Sequence, residues 1–293
     1  MLAPTSAAKV DFSKPFLPQQ ITPLYHTAGF ARLSDAQKLR YNQLHALYFN
    51  EQTIFFESAM AQHILRNFIS QKLPEGLSDG LRAFIAEEAE HSRMFRELNR
   101  ACRPGVYANG DFHFIYVPFL PAGFLRGWIR RARWFPFFLW ILLIQEERAL
   151  FYAKEFLQEA DRLEPNFVAA QRRHLADEAG HVQWDEELLD WVWPRIGKAW
   201  RKINARLFAW MMGEYFTTPK RSGLRVVAEL VKEFPTLQPL WPEMRSQMLH
   251  LPRNQAFNRL CYSREVTPKA FARFDQWPEF HSLGRVLPGY CPP

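Results

Sequence analysis

Cysteine is scarce in this chain: Cys102, Cys261 and Cys291 are far apart, odd in number and form no Cys-x-x-Cys pair. That argues against a disulfide framework and against a structural zinc site, and makes a reducing cytoplasm the expected compartment. Long apolar runs are also missing. The most apolar stretch, 134–144, is about half the roughly twenty residues that cross a bilayer, so no transmembrane segment is expected. Residues 1–23 mix prolines with charges and lack the continuous apolar core of a secretory signal, which suggests an irregular arm. There is no Gly-rich phosphate loop and no low-complexity segment, and strand-like alternation is confined, weakly, to 112–119.

What is present is apolar and aromatic: 48% and 15% of 293 residues, enough to bury a sizeable core in one enlarged domain. The ten tryptophans and 26 phenylalanines are expected mostly to fill that core. A net charge of +7 raises the question of a polyanionic partner, but no nucleic-acid motif accompanies it. The most pointed basic cluster is Arg126, Arg130, Arg131 and Arg133, flanked by Trp128 and Trp134. It reads first as a solvated helix face, ahead of a docking site for an acidic redox partner or a lipid headgroup.

The strongest signal is an internal repeat. Glu57, Glu88 and His91 recur 90 residues later as Glu147, Glu178 and His181. Each half reads Glu, a 31-residue interval, then Glu-x-x-His. A Glu and a His three apart share one face of a helix and can aim at one ion. Two helical hairpins then supply four carboxylates and two imidazoles, the ligand arrangement of ferritin-like di-iron and di-manganese bundles. Chance could produce one Glu-x-x-His on a polar helix face. It does not account for two more glutamates at a common offset in apolar surroundings, where a carboxylate is costly unless a cation compensates it.

The breakers place these motifs on an all-α chain. Ser34 and Gln37 form a capping box that opens a helix to about residue 72, carrying Glu57. Turn residues at 73–80 lead into a second helix, 79–100, stopped at 103–105. An aromatic and proline-rich crossover to Pro121 and a short basic helix come before the third helix, 136–162. Pro165 opens the fourth, which runs to about Trp193. The expected organisation is an irregular arm over 1–33 and a ferritin-like four-helix bundle over 34–216. A helical extension over 217–293 packs on the same domain and becomes an irregular tail from about Val266.

Two choices follow from the copy. Equal height on antiparallel helices favours Glu57 over Glu51, which lies six residues, about 9 Å, further away; Glu51 is left as a supporting or roleless polar group. The same register picks Glu147 over Glu146. Glu87 and Asp177 each precede a motif glutamate, and such acids commonly accept the second N–H of a metal-bound imidazole. The repeat breaks once: His174, four residues before Glu178, has Phe84 as its counterpart, so a third imidazole is available on one side. Carboxylates and imidazoles suit iron, and manganese as well.

Together, Glu57, Glu88-x-x-His91, Glu147 and His174-x-x-x-Glu178-x-x-His181 resemble the ferritin-like non-heme di-iron N-oxygenases, the p-aminobenzoate N-oxygenase family. The likeness runs over about residues 35–195 in motif order. It implies two iron ions, dioxygen, an electron-donor reductase or ferredoxin, and oxidation of a small-molecule amine toward hydroxylamine, nitroso or nitro products. Phe95 stands where a ribonucleotide reductase small subunit would carry its radical tyrosine, which argues against that role. The nearest rival is a di-iron hydroxylase or desaturase of an acyl or hydrocarbon substrate, since Phe55, Phe56, Phe84, Trp140 and Phe151 could line a pocket for either. From another class, a non-catalytic metal-binding or membrane-surface scaffold is the alternative. A homodimer is compatible with a bundle that has apolar face to spare.

Overall fold

Ser34 opens the first long helix: its hydroxyl accepts from the Gln37 amide while the Gln37 side chain accepts from the Ser34 amide. The computed structural model describes residues 9–116, 119–217 and 219–291, and no strand occurs among them. Helix α1 runs as one rod through Asp35–Ile54, a π-helical segment Phe55–Ala61 and Gln62–Ile69. Gly76, with φ of 79°, turns the chain into α2, Leu77–Cys102; that left-handed conformation is one glycine adopts without steric cost. Pro104 follows the end of α2.

The crossover that joins the two hairpins is held by Glu51. Its carboxylate accepts from the Tyr107 hydroxyl and from the backbone amides of His113, Phe114 and Ile115. The alternation seen at 112–119 is irregular over 112–116, and residues 117–118 lie outside the described residues. Helix α3, Phe119–Ile129, leads into α4, Phe137–Gln158, and α5, Pro165–Val192. Pro165 occupies the first turn of α5, and the Glu164 carboxylate accepts from the amides of Asn166 and Phe167. α1 packs along α2, α4 along α5, and α2 along α5, which gives the all-α ferritin-like bundle.

The opening of α4 is buried on every side: Phe137 through Ile144 are each at most 1% exposed. A helix apolar all round must be covered on all faces, and that explains one departure from expectation. Residues after Val266 are not an irregular tail. They form a helix, Pro268–Gln276, and short turns at Pro278–Phe280 and Leu283–Arg285, with Phe271, Phe274, Phe280, Leu283 and Leu287 buried. Phe274 stacks on Trp140 at 5.2 Å and Trp193 stacks on Phe280 at 5.4 Å, closing the outer face of α4. Burying each such side chain stabilises the fold by about 1.5–3 kcal/mol. Between α5 and this lid run α6, Lys198–Met211; α7, Ser222–Glu233; α8, Trp241–Leu249; and α9, Gln255–Cys261, so the lid helix Pro268–Gln276 is α10. In the amino-terminal arm, Phe16 and Leu17 are buried and Phe16 is tied by its amide to Asn42 of α1.

Candidate metal centre

Three helices bring Glu57, Glu88, His91, His174, Glu178 and His181 to one buried point, and α4 adds Glu146. Glu88, His91, Glu178 and His181 form one group of potential ligands and Glu57, His91 and His174 a second, each with ligand atoms within 4.8 Å of one another. All six are at most 4% exposed. The Nδ1 atom of His91 faces Glu88 at 3.6 Å, Glu178 at 3.9 Å and Glu57 at 4.0 Å. The Nδ1 atom of His181 faces Glu88 at 3.3 Å, Glu178 at 3.5 Å and Glu146 at 3.8 Å. His174 enters with Nε2, 2.6 Å from Glu178 and 3.2 Å from Glu57. Phe84, its counterpart in the first hairpin, stacks on His181 at 3.9 Å, and Phe95 meets His174 edge-on.

The outer nitrogens are engaged across the helix pair. His91 Nε2 lies 2.9 Å from Asp177, and His181 Nε2 lies 3.0 Å from Glu87. Each acid therefore serves the imidazole of the other motif, fixing the tautomer that leaves Nδ1 free to ligate.

Glu147 is not among the converging side chains. Its carboxylate turns outward and accepts from the backbone amides of Lys269 and Ala270, the first turn of α10. Burial raises this carboxyl to about 7, against the pull of those two amides. Glu146, fully buried, faces His181 instead. The two hairpins are not exact copies: Glu57 sits inside a π-helical segment that has no counterpart in α4. α4 is regular, and Glu146 stands 32 residues before Glu178 where Glu57 stands 31 before Glu88, so the two hairpins differ by one residue and a count copied from the first lands on Glu147. Glu51 belongs to the crossover, as described above.

Several buried polar atoms in this cluster have no hydrogen-bond partner among the described residues: both oxygens of Glu88 and Glu178, one each of Glu57 and Glu146, and Nδ1 of His91 and His181. Such density of unsatisfied carboxylate oxygens is strongly unfavourable in a protein interior, and cations relieve it directly. The donors are oxygen and imidazole nitrogen, with no cysteine in either group, a set that suits iron or manganese. Burial first, then the charges of neighbouring carboxylates, pushes Glu88 and Glu146 well above the usual range. Burial pulls His174 down, but the closely placed carboxylates of Glu178 and Glu57 outweigh it and hold the imidazolium up at about 10. His181 is held up at about 11 in the same way, by Glu146 and Glu178 against burial. His91 is lowered to about 4 by burial and by His174. Without metal, protons on His174 and His181 do part of the compensation that ions would take over.

Two polar residues near this cluster escaped the sequence reading. Asp185 is buried with neither oxygen hydrogen-bonded; the signal was the 4-3-4 spacing of His174, Glu178, His181 and Asp185 down one face of α5. Arg148 lies two residues beyond Glu146. Its guanidinium donates to the Tyr262 hydroxyl and lies over the Tyr152 and Tyr262 rings, and it forms no ion pair among the described residues. A cavity at the cluster is lined by Glu57, Glu146, His174, Phe56 and Arg148. A neighbouring apolar cavity, with Phe55, Met60, Leu125 and Met211, shares Gln52, Phe56 and Phe216 with it. Phe55 and Phe56 thus line cavities as expected, whereas Trp140 is core beneath α10 and Phe84 is wedged against His181. Phe151 packs edge-tilted on Tyr152.

Residues 3–257 match the family described as p-aminobenzoate N-oxygenase AurF. No curated protein matches the chain.

Proposed function

The chain belongs to the p-aminobenzoate N-oxygenase AurF family, and from that premise we propose that it is a di-iron oxygenase that oxidises the nitrogen of an aryl amine. The observation that carries this reading is the buried cluster of Glu57, Glu88, His91, Glu146, His174, Glu178 and His181, in which eight carboxylate and imidazole atoms from all but His174 face inward without partners while Asp177 and Glu87 orient two of its imidazoles. Those seven side chains would hold two iron ions; manganese suits the same donors. When bound, the metal pair supplies the electrons and Lewis acidity that activate dioxygen. One oxygen atom ends on nitrogen and the other leaves as water, with two electrons and two protons drawn from an external reductase or ferredoxin for each hydroxylamine formed.

The chain's own groups do the rest. Phe56 and Phe49 give the cavity beside the cluster aromatic walls against which an aryl ring packs. Arg148, half-buried and without a carboxylate partner, suits an anionic substituent on that ring, held by a charge-assisted hydrogen bond. Tyr262 accepts from Arg148 and from the Gln145 amide, and so fixes the guanidinium.

The test is turnover of the iron-loaded protein with a reductant and labelled dioxygen, on aminoarenes with and without a carboxylate and on fatty acids. The proposal expects label on nitrogen of a carboxylated aminoarene. Label on carbon of a fatty acid would assign the site to the second reading, an acyl hydroxylase or desaturase, which the apolar cavity with Met60, Leu125 and Met211 favours. Metal binding without oxygen consumption would leave a non-catalytic scaffold.

A further inference from the structure

The net charge of +7 is concentrated on one side of the molecule. Residues 112–145 contain no Asp or Glu, and neither do residues 191–213; between them they carry nine Lys and Arg. The fold packs these two acid-free segments together: the Trp200 indole donates to the Trp134 carbonyl, Trp200 meets Phe135 at 6.1 Å, Trp210 meets Trp128 at 6.1 Å, and Asn204 accepts from the Phe137 amide. Half of the large apolar side chains left exposed among the described residues lie here. Phe124 is 66% exposed, Trp134 59%, Trp210 48%, Ile203 42% and Trp200 37%. Around them Arg126, Arg130, Arg131, Arg133, Lys202 and Arg206 are exposed and form no ion pair among the described residues. Arg66 of α1 joins Arg130, Arg131, Arg133 and Trp134 around one shallow depression.

Exposed tryptophans at this density require a covering partner. A second copy of the chain is excluded by charge, since a two-fold contact would bring two sets of these cations face to face. A surface that combines tryptophans with arginines and lysines, and where the neighbouring Glu279 is neutralised by Arg201 at 3.2 Å, matches the boundary of an anionic bilayer. Indole rings sit at headgroup level there, and each cation near the surface adds about 1 kcal/mol of attraction. No helix among the described residues is long and apolar enough to cross a membrane, so the contact would be peripheral.

We propose that the face built by residues 124–134 and α6 docks the protein on anionic phospholipid membranes, with Trp134, Trp200 and Trp210 at the interface and the depression around Arg130, Arg131 and Arg133 receiving a lipid phosphate. This is independent of the reaction at the metal centre.

Flotation of the full chain with phosphatidylcholine vesicles, with and without phosphatidylglycerol, tests it. The expected result is binding only to the anionic vesicles, weakened by salt, and reduced more than about a hundredfold by Arg130→Glu, Arg131→Glu and Arg133→Glu together. Far-UV circular dichroism checks that variant's fold, and Lys202→Glu with Arg206→Glu, on a separate helix, should weaken binding as well. Tryptophan emission should be quenched by brominated acyl chains, and less so after Trp134→Phe and Trp210→Phe. Absence of flotation at low salt would overturn the proposal. So would binding that both charge-reversed variants retain, or unquenched tryptophans together with tight binding to a soluble acidic protein or to DNA.

Discussion

Asp177 lies 2.9 Å from the outer nitrogen of His91, although the two belong to different Glu-x-x-His helices. Glu87 returns the arrangement on His181 at 3.0 Å. Each motif helix thus orients the imidazole of its partner, and the interface between α2 and α5 is locked by the same bonds that prepare the ligands. Replacing either acid by alanine should weaken metal affinity by about 10–100-fold while leaving helix content intact. Chelator competition on Asp177→Ala and Glu87→Ala measures this, and unchanged affinity in both would remove the clamp from the account.

Adjacent glutamates on α4 face different partners, Glu146 the cluster and Glu147 the first turn of α10. Glu146→Ala should lower the metal content of the purified protein, since one carboxylate of the cluster is lost. Glu147→Ala should keep its metal and lose about 1–2 kcal/mol of stability, because two first-turn amides of α10 lose their acceptor. Metal analysis beside denaturant titration separates the two, and the reverse pattern would restore Glu147 as the ligand.

Asp185 gives a pH prediction for the metal-free protein. Burial raises its carboxyl well above the ordinary 3.8, before any effect of neighbouring charges. With the folded value raised, the folded chain holds its proton longer than the unfolded one, so stability falls as pH rises from about 4 upward. Asp185→Asn removes that loss, and its stability relative to the natural chain should increase steadily between pH 4 and neutrality. A difference independent of pH, followed by urea unfolding, would contradict it.

Much of this was legible in residue spacing. Glu88 with His91 and Glu178 with His181 are three apart on regular helices, so their convergence follows from helix geometry alone. His174 stood out because its counterpart is a phenylalanine. The Glu146 and Glu147 register was not legible, because the two hairpins differ by one residue between the paired glutamates and an exact 90-residue copy hides that difference. Nor was the lid: α10 is nine residues long, and its apolar face of Ala270, Phe271 and Phe274 does not by itself say that it covers the all-apolar start of α4. Arg148 carries no signal in the sequence, because only the fold brings the distant Tyr262, beside Tyr152, against its guanidinium.

Arg148 should decide substrate charge. Arg148→Gln removes a charge-assisted hydrogen bond worth about 1.5–3 kcal/mol. KM for a carboxylated aminoarene should therefore rise about 10–100-fold, with kcat little changed, and an aminoarene without the acid should be unaffected. Equal loss on both substrates would mean that the guanidinium holds structure and not substrate.

The central claim is that seven buried side chains hold a pair of metal ions. Anaerobic titration of the metal-free protein with ferrous iron, read by metal quantification and Mössbauer spectroscopy after exposure to air, tests it most directly. The account predicts saturation at two irons per chain, spin-coupled once oxidised, with thermal stability rising as they bind. One uncoupled iron, or none retained, would contradict it.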